Sequence, residues 1–77
     1  MAKREIASTE RILARNLRRL RLERGLSQDD LAAEAGVRQA LVSAIEVATA
    51  NPTVKSLDQL ARALKVEVSV LFDRDAR

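Results

Sequence analysis

The sequence predicts an all-α domain of five short helices around one core, and three observations lead there. Apolar residues recur at helical spacing in successive stretches. Gly25, Gly36 and Pro52 fall between those stretches, where a helix must stop or cannot continue. Only one segment alternates as a strand does, and a lone strand has nothing to pair with. A chain of 77 residues buries only about 60% of the surface its unfolded form exposes, so one core is all it builds.

The first helix runs from Thr9 to Arg24, with Leu13, Leu17 and Leu20 as its apolar stripe. Gly25 stands where a left-handed C-terminal cap is wanted. Ser27 and Asp30 form a capping-box pair at the start of the second helix, which carries Leu31, Ala32 and Ala35 inward and stops at Gly36. The third helix spans about Arg38 to Val47, with Leu41, Val42 and Ile45 facing the core. Asn51-Pro52 is a turn, after which Thr53 caps a fourth helix bearing Val54, Leu57, Leu60, Ala61 and Leu64. Val66, Val68 and Val70 alternate with Glu67 and Ser69. Lacking a partner strand, this tail is expected to form a turn and a short helix through Val70, Leu71 and Phe72. Residues 1–8 form a polar N-terminal arm, and residues 9–77 form the domain.

Composition removes many functions. There is no His and no Cys, which excludes zinc fingers, thiol chemistry and His-based triads. Phe72 is the single aromatic residue, so stacking of unpaired bases on rings is not available as a binding mode. Asp29 and Asp30 are the adjacent acidic pair in a helix first turn, where they complement the helix dipole rather than perform acid–base chemistry. An enzyme is therefore not expected, nor is any cofactor, metal or small-molecule ligand. Met1 to Ser8 is polar, and no apolar run is long enough to span a bilayer, so a soluble cytoplasmic protein is expected. Charge is lopsided. Residues 1–24 hold eight basic and three acidic side chains, net +5, whereas residues 25–77 hold six and eight, net −2. That asymmetry suits a polyanionic partner, although a solvated arginine-rich helix face would look the same.

The most informative stretch is Gln28 to Val47. Two helices are joined by a turn at Gly36, whose positive φ costs glycine nothing, and Ala32 lets the helix backbones approach. The outer side of the second helix of this pair carries Arg38, Gln39, Ala40, Ser43, Ala44 and Val47, a set able to face a groove. These segments, "LRRLRLERGLSQDDLAAEAGV", "LVSAIE", "NPTVKSLDQLARALKV" and "LF", resemble the lambda-repressor-like family of Cro and cI-type helix-turn-helix regulators. The resemblance covers about Ile12 to Phe72. It implies a compact five-helix domain that docks on double-stranded operator DNA as a homodimer. Because the chain ends at Arg77 without an effector domain, it looks most like stand-alone members, the restriction–modification controllers and short phage repressors.

Roles follow from the resemblance residue by residue. Gln28 matches a position that bonds the DNA backbone and braces the recognition helix. Gln39 and Ser43 match positions facing base edges, and a Gln amide suits the N6 and N7 groups of adenine. Arg38 matches the N-terminus of the recognition helix, within reach of a phosphate or guanine. Arg21 and Glu46 match a structural ion pair. Independently, Arg21 borders the apolar stripe of helix one and Glu46 follows inward-facing Ile45, and half-buried charges need partners. Val47 and Ala48 depart from the family pattern, which commonly places a polar or basic residue and then Gly there. Ala40 and Ala44 are also apolar where many relatives are polar. Readout then leans on Arg38, Gln39 and Ser43, with methyl contacts to thymine.

One recognition helix covers too few bases for a specific site, so a second copy is expected. Val66, Val68, Val70, Leu71 and Phe72 place five apolar side chains within seven residues, more than a small core is expected to enclose. With an exposed edge of helix four around Leu60 and Leu64, some of them form the expected two-fold interface, the alternative being that Leu71 and Phe72 close the bottom of the monomer core. The competing reading is an antitoxin-like module that uses this fold to hold a protein partner. The short tail after Phe72 leaves little chain to wrap one.

Overall fold

The computed structural model describes residues 8–75, and the first seven residues of the expected arm lie outside them. Four α-helices follow in order: α1 Thr9–Glu23, α2 Gln28–Ala35, α3 Gln39–Glu46 and α4 Val54–Leu64. A 3-10 helix, Val68–Phe72, is the last element among the described residues. Among the described residues there is no strand.

Each start is made by a side chain that satisfies an amide the helix itself leaves open. The Ser8 hydroxyl accepts from the Arg11 amide at 3.2 Å. Ser27 and Asp30 make the full reciprocal capping box, at 2.9 and 3.1 Å. The Thr53 hydroxyl accepts from the Ser56 amide at 3.0 Å. Gly25 and Gly36 take φ of +69° and +73°, the left-handed geometry that ends α1 and α2. Lys65 adopts the same conformation after α4, with φ +60°. Nothing in its spelling announces this.

The α1, α3 and α4 stripes meet α2 and the 3-10 helix in one core. Leu17, Leu31, Val42, Ile45, Leu60 and Leu71 are fully enclosed. Fully buried among them is Asn16, one turn from Leu13 and beside Leu17. Its amide donates to the carbonyls of Leu71 and Asp73, each at 2.9 Å. A side chain from α1 thus satisfies backbone acceptors of the terminal segment that a longer helix would have satisfied internally.

Two expectations need correction. The fifth helix is 3-10 rather than α: Val70 bonds back to Glu67 and Asp73 back to Val70, both three residues away. The segment is five residues long and rich in β-branched side chains, and the Asn16 clamp holds it in the tight form. The second correction concerns the expected dimer patch. Leu60 and Leu71 have no exposed surface and Leu64 only 2%, so none of the three lies at an edge. Leu60 and Leu64 share the α4 stripe with Leu57 and Ala61, and this whole stripe is spent on the monomer core. Val66, Val68, Val70 and Phe72 are half-buried and pack on that core.

Candidate nucleic-acid interface

The α2–turn–α3 unit is built as its spacing implies. Ala32 is buried, and its carbonyl accepts from the Val37 amide across the turn at 3.0 Å. From α4, Gln59 donates to the Ala35 carbonyl at 3.2 Å, capping the open end of α2. Val42 and Ile45 anchor α3 to the core. Arg38 is the extended residue before α3 and Val47 the residue after it, so both expected helix ends move in by one.

A line of polar contacts crosses this unit. Arg21 meets Glu46 in a two-pronged pair, Nε to Oε2 at 2.7 Å and Nη2 to Oε1 at 2.9 Å. The third arm of the guanidinium donates to the Leu26 carbonyl at 2.8 Å, holding the α1–α2 connection. Gln28 donates to Glu46 at 3.1 Å and accepts from Gln39 at 2.8 Å. Core helix, α2 and both ends of α3 are joined in one chain of hydrogen bonds. Side-chain exposure at the ion pair is 10% for Arg21 and 4% for Glu46. Burial pushes the Glu46 carboxyl up. Hydrogen bonds from Arg21 and Gln28, with the charges of Arg21 and Arg18, outweigh burial and hold it below the usual carboxylate range. The Glu46 hydrogen bond raises Arg21 further above its ordinary value against the cost of burial. Both groups stay charged throughout the physiological range.

Around this line the residues of the expected reading face come together. Arg38, Gln39, Ala40 and Val47 are exposed, with Ser43 and Ala44 half-buried between them. Gln28 is half-buried and occupied by its two protein partners, which makes bracing its visible work. The expected dimer residues form no such collected surface, because Leu60, Leu64 and Leu71 point inside.

Two groups near the face are not among the expected site residues: the α1 arginines, read only as a charge asymmetry suited to a polyanion, and the loop after α3, which sequence reasoning passed over. Arg11, Arg15 and Arg18 of α1 line a surface hollow with Ala14, Glu46, Val47 and Ala48, so the basic side of α1 lies flush with the end of α3. Their spacing of four and three residues was a usable signal, since it puts them on one helix face. Thr49 and Asn51, in the loop after α3, line a neighbouring polar hollow with Ser8, Glu10, Arg11 and Val47. Thr49 and Ala50 bond back to the Ala44 carbonyl, through amides at 2.9 and 3.2 Å and the Thr49 hydroxyl at 3.3 Å. The turn they close places Ala48 at φ +62°, a conformation that penalises its Cβ.

A helix-turn-helix family model matches residues 17–71. An uncharacterized HTH-type transcriptional regulator of Sinorhizobium fredii is 41% identical over 56 residues, 73% of each chain. The restriction-modification controller protein C.AhdI from Aeromonas hydrophila superimposes with a TM-score of 0.79 at 33% identity, covering 82% of this chain and 96% of that one. SinR, a master regulator for biofilm formation whose structure was solved in complex with DNA, gives 0.76 at 32% identity, covering 79% and 98%.

Proposed function

Given that this chain belongs to the helix-turn-helix family of transcriptional regulators, we propose that it binds a specific pseudo-palindromic operator in double-stranded DNA as a homodimer. The observation that carries the reading is the Arg21–Glu46–Gln28–Gln39 chain of hydrogen bonds. It leaves α3 no freedom to roll and presents Arg38, Gln39, Ala40, Ser43, Ala44 and Val47 outward together. A base-reading helix needs that constraint, because a bidentate contact fails when its donor rotates away.

In this reading α3 enters the major groove. Arg38 and Gln39 meet base edges near its start, with Ser43 one turn on. Gln28 approaches the phosphates at the N-terminus of α2, where open amides favour an anion. Arg11 and Arg18 supply charge along the flanking backbone. Of the expected dimer residues, Val66, Val68, Val70 and Phe72 are half-buried and keep some apolar surface for a second copy. A two-fold axis there sets the recognition helices ~34 Å apart, one turn of DNA. The likeness to C.AhdI favours a restriction–modification controller, with a short phage-type repressor as its near equivalent. The place of work is the prokaryotic or phage-infected cytoplasm, at the nucleoid. Among the described residues no helix is long and apolar enough to cross a membrane.

The test is selection from a random duplex pool, with light scattering of the protein at micromolar concentration. Enrichment of an inverted repeat and a dimer mass are the expected results. A persistent monomer, with Val68→Glu changing neither mass nor affinity, would remove the homodimer; recovery of no common sequence would remove operator binding.

A further inference from the structure

The outer ridge of α3 is apolar. At about 100° per residue, Ala40 and Val47 project opposite the core-facing Val42 and Ile45, with Ala44 beside them. Val47 is 64% exposed. Its position is firm, because the Ala44 carbonyl gathers the Thr49 and Ala50 amides and so closes the turn that carries it. Only the Ser43 hydroxyl interrupts this ridge with a polar group, since Arg38 and Gln39 sit at the N-terminal end. The surroundings are basic: Arg11, Arg15 and Arg18 line the hollow that Val47 and Ala48 border. The one carboxylate in that hollow, Glu46, is held by Arg21. An apolar ridge framed by cations fits an apolar group carried on a polyanion.

Duplex DNA offers one such group in the major groove, the methyl at C5 of a pyrimidine. Thymine carries it always. Cytosine carries it at the same position when methylated there. We infer that α3 reads the C5 methyl of pyrimidines through Ala40, Ala44 and Val47, so that binding responds to cytosine methylation as well as to thymine. The inference rests on the duplex-reading role proposed above and adds to the expected thymine contacts a response to cytosine methylation. Alanine and valine have no donor or acceptor with which to tell A·T from G·C. They discriminate by whether a methyl fills the space they leave, and cytosine without one leaves a gap in a contact made of dispersion and excluded water.

The experiment uses the full chain and the duplex it enriches from a random pool. Enriched duplexes are remade with deoxyuridine for thymine, and separately with cytosine or 5-methylcytosine at the same places, paired with guanine. Loss of one buried methyl is expected to weaken binding roughly fourfold, the equivalent of about 0.8 kcal/mol, and a methyl in each half-site roughly fifteenfold. The 5-methylcytosine duplex is expected to bind more tightly than its cytosine counterpart. Val47→Asn, at an exposed site outside the helix, is expected to reduce both differences to the part carried by Ala40 and Ala44 while the thermal melt stays unchanged. Equal binding of thymine and deoxyuridine duplexes overturns the methyl reading and leaves operator binding standing. Equal binding of cytosine and 5-methylcytosine duplexes overturns the response to methylation. A pool that yields no common sequence overturns operator binding and the methyl reading with it.

Discussion

The two halves of the domain share one apolar core and differ in the polar contacts added to it. The α2–α3 half buries Leu31, Val42 and Ile45 and adds a side-chain network in which Arg21, Glu46, Gln28 and Gln39 use atoms in defined geometry. The α4 and 3-10 half buries Leu57, Leu60, Leu64 and Leu71, and its polar ties run from Asn16 and Gln59 to backbone carbonyls. Hydrophobic contact is non-directional and tolerates small rolls of a helix. A two-pronged guanidinium–carboxylate pair does not. The difference teaches where orientation matters: the proposed reading helix carries a two-pronged ion pair and a side-chain network on top of its buried face, which α4 does not.

The sharpest way to break that comparison is Glu46→Ala. It strands a guanidinium with little exposure and is expected to cost about 3–5 kcal/mol in urea unfolding. Glu34→Ala, an exposed site on α2, is expected to cost no more than about 0.5 kcal/mol. Equal costs would show that the pair does not hold the half together. Acid offers the same test without mutation. The folded Glu46 carboxyl lies below its unfolded value, so its contribution is complete above the unfolded pKa of about 4.3. That contribution is lost as pH falls from there through the folded value. The melting temperature of Glu46→Ala should depend less on pH in that window than the wild type's.

Next in size is Leu60→Ala, at about 2–5 kcal/mol by the same unfolding measurement. If the α4 half only keeps its neighbours near, the fraction still folded should bind DNA as the wild type does. A matching loss of affinity would mean that burial aims α3 as well. Smaller again is Gln39→Ala, expected to weaken the cognate site by about 1–3 kcal/mol in a binding titration. Non-specific binding and the melting temperature should stay nearly unchanged. The smallest effect sits at the border of the halves. Ala48→Gly should relieve the positive φ and add about 1 kcal/mol to stability, measured by thermal melting; no gain would mean that glycine's unfolded-state entropy cancels the relief.

Much of this architecture is readable before folding. The Leu13, Leu17 and Leu20 stripe, the Ser27–Asp30 box, Gly36 and Thr53 are local signals, and local signals depend only on neighbours in the chain. The Arg21–Glu46 pair is implied by the family resemblance, and the adjacency of each residue to an inward position agrees with it. What stayed hidden depends on which elements meet. Leu60 and Leu64 form a stripe, and a stripe does not say whether a core or a second copy covers it. Val66 to Val70 has the period of a strand, and the want of a partner strand was enough to read a turn and short helix there, though not the 3-10 form of Val68–Phe72. Asn16 carries no local signal of its burial, because its partners at Leu71 and Asp73 lie at the other end of the chain.

That Asn16 clamp bears on how the domain folds. Its two bonds join residues 55 and 57 positions apart, so closing it means closing a loop of most of the domain. The entropy of that closure grows as (3/2)RT ln n, about 3.5 kcal/mol at this length. Two hydrogen bonds return roughly 1–3 kcal/mol together, too little to close the loop unaided. The burial of Leu71, at about 1.5–3 kcal/mol, has to arrive with them. The clamp and the burial of Leu71 therefore form together. The carboxamide protons of Asn16 should then exchange with solvent only when the terminal segment lifts Leu71 out of the core.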